Sequence, residues 1–208
     1  MKVEGEYTFD GPREEVWALI RDPEVLSTAL PGTQSLEQVN ENEYQGEMNI
    51  RVGPVGGVFS GRIVVSDEVP PESCTLTVEG KGKPGFVNGR GHIQLTDQEG
   101  GKTLMKYAGD VQIGGRLASV GQRLIDTASK SIIGQGLDTM NQALQARLAA
   151  QATGQEAEYK PPSETAFAAS VAKDMAGEVF TSSRLIWIGL AILIIIIVVV
   201  FLIARGGS

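Results

Sequence analysis

The sequence predicts an α+β domain, in which a curved, seven-stranded antiparallel sheet surrounds one long C-terminal helix, followed by a transmembrane helix. Three observations support this fold class. Segments with strand character follow one another, separated by turn residues, up to about residue 113. From Gly115 the apolar residues recur at helical spacing instead. The chain then closes with an uncharged apolar run at 185–204.

The amino-terminal region predicts one strand and two short helices. Residues 3–9 alternate between polar and apolar, as in a half-buried strand. We expect Asp10 to cap the first helix and Pro12 to occupy its first turn. Pro23 interrupts this helix, and a second short helix follows. The apolar residues assigned to the two helices are Val16, Leu19, Ile20, Val25, Leu26 and Leu30.

Six further strands and one long helix complete the predicted domain, 1–151. Short turns between consecutive strands indicate an antiparallel meander. Seven strands can curl around one amphipathic helix to give a two-layer domain. The strands are expected near 34–40, 43–52, 56–69, 73–81, 86–96 and 102–113. The helix is expected to run to about Gln151, with Leu117, Val120, Leu124, Ile125, Ala128, Ile132, Leu137, Met140, Leu144 and Leu148 on its apolar face.

The end of the chain predicts a membrane anchor. Residues 185–204 contain no charge and no proline, and as a helix they would cover about 30 Å, the thickness of the hydrocarbon core. A buried core helix is the competing interpretation, which the length of the run disfavours. Residues 152–184 predict a flexible linker, with a surface amphipathic helix as the alternative, and 205–208 form a tail. Because the chain opens without an apolar signal segment, we expect a single-pass protein of the cell membrane whose N-terminal domain faces the cytoplasm.

Composition excludes several classes of function. The formal net charge of -7 argues against nucleic acid as a partner and against electrostatic attachment to anionic lipid. The single cysteine, Cys74, permits no intrachain disulfide and no thiolate metal cluster. The single histidine, His92, shares the polar side of its strand with Arg90 and Gln94, where a solvated role is expected. We therefore expect no catalytic residues, no metal ligands and no enzyme.

A glycine motif in the middle of the chain resembles a dinucleotide site only superficially. Gly80, Gly82 and Gly85 have the G-x-G-x-x-G spacing, but that motif must lead into a helix, and here a strand follows. The glycines within the strands point to a structural role instead, because each shares a strand face with apolar residues. They let the sheet curl tightly around the helix, and a sharper, compatible interpretation is that they also leave a cavity unfilled beneath it. The glycines concerned are Gly46, Gly61, Gly89, Gly91 and Gly109.

Several phrases in this order resemble a known family. They are "GEYTFDGPREEVWALIRDPEVLSTALPGTQSLE" near the start, "VGPVGGVFSGRI" and "GFVNGRGHIQL". Together, over some 150 residues, they resemble the family of the carbon monoxide dehydrogenase G subunit, within the START-like, helix-grip superfamily. In that family the "LPG" phrase most often continues with cysteine, where this chain has Thr33.

The resemblance implies a helix-grip fold with an apolar ligand-binding cavity between sheet and helix. It also implies association with molybdenum-containing carbon monoxide dehydrogenases or related molybdenum hydroxylases. Tyr107 and Tyr44 are the inward polar groups able to hydrogen-bond a ligand carbonyl, or are simply core tyrosines. The residues expected to line the cavity are Leu26, Leu30, Met48, Ile50, Phe59, Gly61, Ile63, Phe86, Gly89, Gly91, Tyr107, Gly109, Leu124 and Ala128.

The expected function is that of a membrane-anchored, non-catalytic accessory protein. It would recruit the cytoplasmic dehydrogenase to the respiratory membrane and bind a lipophilic small molecule, namely a respiratory quinone such as menaquinone or ubiquinone, to aid electron delivery. One alternative is a pure membrane anchor or assembly factor without a ligand. Another is a START-like enzyme, such as a cyclase or hydrolase, which the lack of placed acids, bases and nucleophiles disfavours.

Overall fold

The computed structural model of the protein describes residues 1–153, which form one curved sheet, two short helices and one long helix. The strands are β1 (Lys2–Phe9), β2 (Thr33–Asn40), β3 (Glu43–Val52), β4 (Val55–Val69), β5 (Ser73–Gly82), β6 (Gly85–Gln98) and β7 (Lys102–Gly114). The α-helices are α1 (Arg13–Ile20), α2 (Pro23–Ala29) and α3 (Gln122–Thr153), and a 3₁₀ helix covers Gly115–Val120.

The sheet confirms the predicted seven-stranded antiparallel architecture. Its strand order is β1-β7-β6-β5-β4-β3-β2, so β2 to β7 form a meander. The first strand pairs with the last one, and Gly5 lies opposite Tyr107. The chain therefore crosses from one sheet edge to the other through α1 and α2, which lie on the same face as α3.

The apolar core is concentrated towards the two ends of α3. Near its C-terminal end, Phe9, Val16, Leu95 and Leu144 belong to a cluster of buried side chains from β1, α1, β6 and α3. Near its N-terminal end, a second cluster joins β3, β4, the 3₁₀ helix and α3. The members of this second cluster are Val52, Phe59, Leu117 and Ala128, with Met48, Ile50, Val55, Val87, Ile113 and Val120 packed against them.

Polar contacts also hold the C-terminal half of α3. The Tyr7 hydroxyl donates to Asp138 Oδ1 at 2.8 Å, and burial together with this hydrogen bond raises the Tyr7 pKa. At the same end, Arg147 Nη2 lies 2.5 Å from Asp22 Oδ2. Asp22 also caps α2, accepting from the backbone N–H groups of its first turn. These contacts fix α3 against both β1 and α2.

Two local predictions were wrong. Asp10 does not cap α1, because its carboxylate accepts from Lys102 Nζ at 2.7 Å and from Asn141 Nδ2 at 3.0 Å. Pro12 is the N-cap residue and supplies no side-chain hydrogen bond. The predicted long helix is also interrupted at Gly121, where φ is 93°. Helical backbone requires a negative φ, so Leu117 and Val120 belong to the separate 3₁₀ helix.

The predictions for the end of the chain lie almost entirely outside the described residues. Helix α3 continues to Thr153, two residues into the predicted linker 152–184. The remainder of that linker, the predicted anchor 185–204 and the tail 205–208 fall in the part of the chain that the structure does not describe. Within 1–153, no helix combines the length and the apolar character that a membrane span needs.

Candidate ligand-binding cavity

Strand register places most of the predicted cavity residues on the sheet face that α3 covers. In an antiparallel pair, directly opposed residues share a face. Gly61 lies opposite Gly46 and Gly80, and Gly91 lies opposite Gly109. Packing of Phe59 with Leu117 and Ala128 identifies this face as the inner one. The predicted residues on it are Met48, Ile50, Phe59, Gly61, Ile63, Gly89, Gly91, Tyr107 and Gly109.

The centre of the inner face carries three glycines with space above them, Gly61, Gly80 and Gly89, which we call the glycine floor. A Cβ atom built on Gly61 would lie 3.5 Å from the Glu79 carbonyl oxygen, and one on Gly80 would lie 3.7 Å from that of Val87. On Gly89 the nearest atom would be Val111 Cγ2, also at 3.5 Å. No described atom of α3 lies within 4 Å of any of these positions. A methyl group could therefore be added at each position of the glycine floor without meeting α3.

Other inner-face glycines have a different role, because backbone lies too close for a side chain. At Gly109 a Cβ would lie 2.7 Å from both the Arg90 carbonyl oxygen and the Gly91 Cα. At Gly46 it would collide with the Ser35 carbonyl oxygen of β2. The sequence pattern was compatible with both roles, curvature and unfilled volume, for the same glycines. The structure divides them: Gly46 and Gly109 permit close strand approach, and the glycine floor leaves space.

Val78 shows that the space is accessible to solvent. It lies on β5, the middle strand of the seven, opposite Ile63 and Gly89 on the inner face. Its exposed fraction is nevertheless 36%. An apolar side chain at the centre of a covered sheet is normally buried. Access to Val78 is consistent with an apolar recess between the sheet and α3, flanked by the two core clusters.

The two candidate tyrosines have different surroundings. Tyr44 is 1% exposed, and its hydroxyl donates to the Arg21 carbonyl oxygen at 2.8 Å. Tyr107 is half-buried and its hydroxyl lies over Gly5, without a hydrogen bond to any residue in 1–153. Burial raises the pKa of Tyr107, so the group is a neutral donor at neutral pH. Tyr44 is a core residue, and Tyr107 is the inner-face tyrosine with a hydroxyl available to a ligand.

The remaining predicted lining residues lie at the margins, and one was assigned to the wrong face. Leu26 packs against a third core cluster, formed by Tyr44, Val65 and Cys74, and Leu30 is the C-cap of α2. Leu124 approaches the β3–β4 turn, its Cδ1 3.9 Å from a Cβ built on Gly53. Phe86 faces outward, because it lies opposite Lys81 while its neighbour Val87 points inward.

Three inner-face residues of β5, Leu76, Val78 and Gly80, were not among the predicted lining residues. Their alternation along β5 was the available signal, and the register confirms that Leu76 opposes Gly91 and Val78 opposes Gly89. Trp17 on α1 packs against the cluster of Tyr44, Val65 and Cys74, as Ile63 and Leu76 do. An indole therefore lies beside the recess.

Groups with catalytic potential lie away from the recess or are buried without a partner. His92 is exposed on the outer face, beside a shallow groove of about 330 Å³ that is also lined by Lys2, Glu4, Arg90 and Asp110. Cys74 is 1% exposed, and burial raises the pKa of its thiol to about 11. Among residues 1–153, no group of three or more His, Cys, Asp and Glu side chains is arranged to hold a metal ion.

Comparison with known proteins places the chain in a family. The sequence model of the family described as the carbon monoxide dehydrogenase G subunit (CoxG) matches residues 5–145. A conserved protein of Geobacillus kaustophilus has a crystal structure that matches with a TM-score of 0.68 and 32% identity, covering 71% of this chain and 97% of its own. Because nearly the whole of that chain is matched, the Geobacillus protein folds with little more than this domain. The comparison with curated proteins gives no match.

More distant structures share the fold alone. The Zhui aromatase/cyclase from Streptomyces sp. R1128 matches with a TM-score of 0.53 and 12% identity, covering 75% of this chain and 99% of its own. The protein TTHA0849 from Thermus thermophilus matches with a TM-score of 0.51 and 16% identity, covering 70% and 98%. The family match extends over more than half of the chain and coincides with the observed helix-grip domain. The chain belongs to the CoxG family, that of the carbon monoxide dehydrogenase G subunit.

Proposed function

We propose that the domain is a non-catalytic carrier that binds a lipophilic small molecule between its sheet and α3. The observation that carries this proposal is the glycine floor, where Gly61, Gly80 and Gly89 leave space that no α3 atom fills. Glycine inside a strand lowers stability because it has no side chain to pack. Its presence at three neighbouring inner-face positions therefore suggests a functional reason. Space to bind an apolar ligand is such a reason.

The chemistry of the recess favours a ligand with a long apolar part and a carbonyl group. Ile63, Leu76, Val78 and Val111 surround the glycine floor with aliphatic surface. Burial of a hydrocarbon chain there contributes about 0.8 kcal/mol per CH₂ group. Tyr107 offers one hydroxyl donor to a carbonyl oxygen. A respiratory quinone, menaquinone or ubiquinone, has both features and is the ligand that we propose.

The proposed role in the cell is to assist a dehydrogenase at the membrane. The family description names a subunit of carbon monoxide dehydrogenase, which supports that enzyme or a related molybdenum hydroxylase as the partner. The apolar run 185–204 supports a single-pass anchor in the cell membrane, with the domain on the cytoplasmic side. The protein would recruit the dehydrogenase to the respiratory membrane and aid electron delivery to lipid-dissolved quinone.

A quinone titration of residues 1–153 tests the ligand directly. Trp17 is the single tryptophan in this part of the chain, and it packs against the same buried cluster as Ile63 and Leu76. Menaquinone or ubiquinone added in detergent-free form should quench its fluorescence saturably. A Gly61→Leu variant is expected to fold, because its Cβ meets only ordinary contacts, but to lose most of the quenching. Tight binding by this variant, or no saturable quenching in the wild type, would contradict the carrier role.

The alternative of a pure anchor gives a different pattern in the same experiments. Without a ligand, the wild type and Gly61→Leu should both show unspecific, linear quenching only. Full-length chains carrying either sequence should then bring the dehydrogenase to membranes equally well. Under the carrier role, both chains recruit the enzyme but only the wild type supports electron transfer to quinone.

A further inference from the structure

One end of the domain brings together three turns that are far apart in the sequence. The β3–β4 turn, the β5–β6 turn and the start of α3 with its preceding 3₁₀ helix all lie at the same end of the sheet. The Leu117 backbone N–H donates to the Pro84 carbonyl oxygen at 2.9 Å. Pro84 also lies against Gly57 of β4, and Gly53 lies near Leu124 of α3. The three segments therefore form one continuous surface.

This surface is basic, and we call it the basic end. Its charged residues are Arg51, Lys81, Lys83, Arg116 and Arg123, all of them exposed. No ion pair within residues 1–153 involves any of the five. The segments that supply them, 48–61, 80–91 and 111–125, contain no Asp or Glu. The nearest acidic residues along the chain, Glu47, Glu79, Asp110 and Asp126, lie just outside these segments and form no ion pair with the five cations.

The opposite end of the sheet has the reverse character. Its basic residues are held in ion pairs: Arg21 Nη1 lies 2.8 Å from Glu68, and Lys102 Nζ lies 2.7 Å from Asp10. Further carboxylates surround these pairs, namely Glu14, Glu15, Glu24, Glu41, Glu72 and Glu99. The formal net charge of -7 therefore conceals a polarised domain with one acidic and one basic end.

Apolar side chains are exposed beside these cations. Phe86 is 39% exposed and its ring packs over Gly114, next to Lys81 in the cross-strand register. Val58 is 42% exposed at the start of β4. Aromatic and aliphatic groups among Lys and Arg suit the interface of a bilayer, where the apolar parts enter the headgroup region and the charges meet phosphate.

We propose that the basic end docks on the surface of an anionic lipid bilayer. The five cations attract the lipid phosphates, and Phe86 and Val58 enter the interface. The net charge had argued against such attachment, but that argument assumes evenly distributed charge. Screening restricts electrostatics to about 10 Å at 0.1 M salt, so a bilayer in contact with this end responds to local charge. The docking needs no occupant in the recess and so stands independently of the proposed ligand.

Vesicle sedimentation with residues 1–153, which lack the predicted anchor, tests the docking. The domain should sediment with phosphatidylcholine vesicles containing phosphatidylglycerol, and not with phosphatidylcholine alone or at 0.5 M salt. Lys83→Gln should lower the partition coefficient about fivefold, and Lys81→Gln with Lys83→Gln about twentyfold. Phe86→Ser should lower it severalfold at unchanged charge.

Lys106→Gln is the matched control, because Lys106 is exposed on β7 away from the basic end. Its partition should change less than twofold. Equal losses for Lys83→Gln and Lys106→Gln, or no preference for anionic vesicles, would overturn the proposal. So would binding to an acidic protein surface with no binding to vesicles. Gly61→Leu should sediment like the wild type, which separates failure of docking from failure of ligand binding.

Discussion

The inner face of the sheet contains two regions that are built in opposite ways. Around the C-terminal half of α3, Phe9, Leu95 and Leu144 are at most 1% exposed, and the helix is also hydrogen-bonded to β1. At the glycine floor, no α3 atom lies within 4 Å of the positions that a Cβ would occupy, and Val78 is 36% exposed. The comparison shows that one helix can stabilise the domain at its ends and still leave space at the centre. The residues that stabilise the domain are therefore different from the residues that leave space for a ligand.

The largest effect is expected in the packed region. Leu144→Ala removes a completely buried side chain that also packs against Gly11, and should lower the free energy of unfolding by about 3–5 kcal/mol. Urea denaturation of residues 1–153 measures the loss. A change below about 1 kcal/mol would show that the C-terminal half of α3 does not carry the core.

A pair of glycine substitutions separates the two kinds of inner-face glycine. Gly109→Ala forces backbone apart, since its Cβ would lie 2.7 Å from the Arg90 carbonyl oxygen, and should cost about 2 kcal/mol. Gly61→Ala meets nothing closer than 3.5 Å and should be neutral, or stabilising by up to about 1 kcal/mol, because the unfolded chain loses freedom. Equal destabilisation by both, measured by thermal unfolding, would mean that the glycine floor exists for curvature.

The two tyrosines provide a smaller test of the same contrast. Tyr44→Phe leaves the half-buried Arg21 carbonyl oxygen without this donor and should cost about 1–2 kcal/mol of stability. Tyr107→Phe breaks no hydrogen bond within 1–153, so stability should be unchanged, while quinone affinity should fall about three- to tenfold. Unfolding curves and quinone titrations of both variants provide the check. A loss of quinone affinity in Tyr44→Phe and a loss of stability in Tyr107→Phe would contradict these roles.

The smallest effect concerns acid stability at the surface. The Arg62 guanidinium, together with Gln45 and Asn40, lowers the pKa of Glu43 from 4.5 to about 2. A lowered carboxyl pKa contributes stability above about pH 4.5, and this contribution is lost as the pH falls towards 2. Glu43→Gln should therefore flatten the fall in thermal midpoint between pH 4.5 and pH 2. Glu37→Gln, which breaks no ion pair in the described chain, should retain the wild-type profile.

Sequence periodicity predicted the architecture because turns and alternation are local signals. The strands between 34 and 113 were placed within two residues of their observed bounds, and the order of elements was correct. Asp10 was misassigned because its partners, Lys102 and Asn141, are about 90 and 130 residues away. Whether a glycine serves curvature or volume depends on neighbouring backbone, as at Gly46 and Gly61, and alternation alone does not contain that information.

Charge polarity was missed for a related reason. Net charge is a sum over the whole chain, whereas the antiparallel meander brings Arg51, Lys83 and Arg116 to the same end of the sheet. Phe86 was placed in the recess for its apolar character although alternation with Val87 already indicated the outer face. In both cases the position in the sheet, and not the residue type, determines the role.

Mass spectrometry of organic extracts tests the central claim most directly. Residues 1–153 and the Gly61→Leu variant would be purified from a quinone-producing host without detergent and extracted in parallel. The account predicts a lipophilic molecule at near-stoichiometric amount in the wild type and its loss from the folded variant. An empty wild-type domain that stays empty after incubation with menaquinone and ubiquinone would contradict a carrier, and would leave the open centre of the inner face without a ligand.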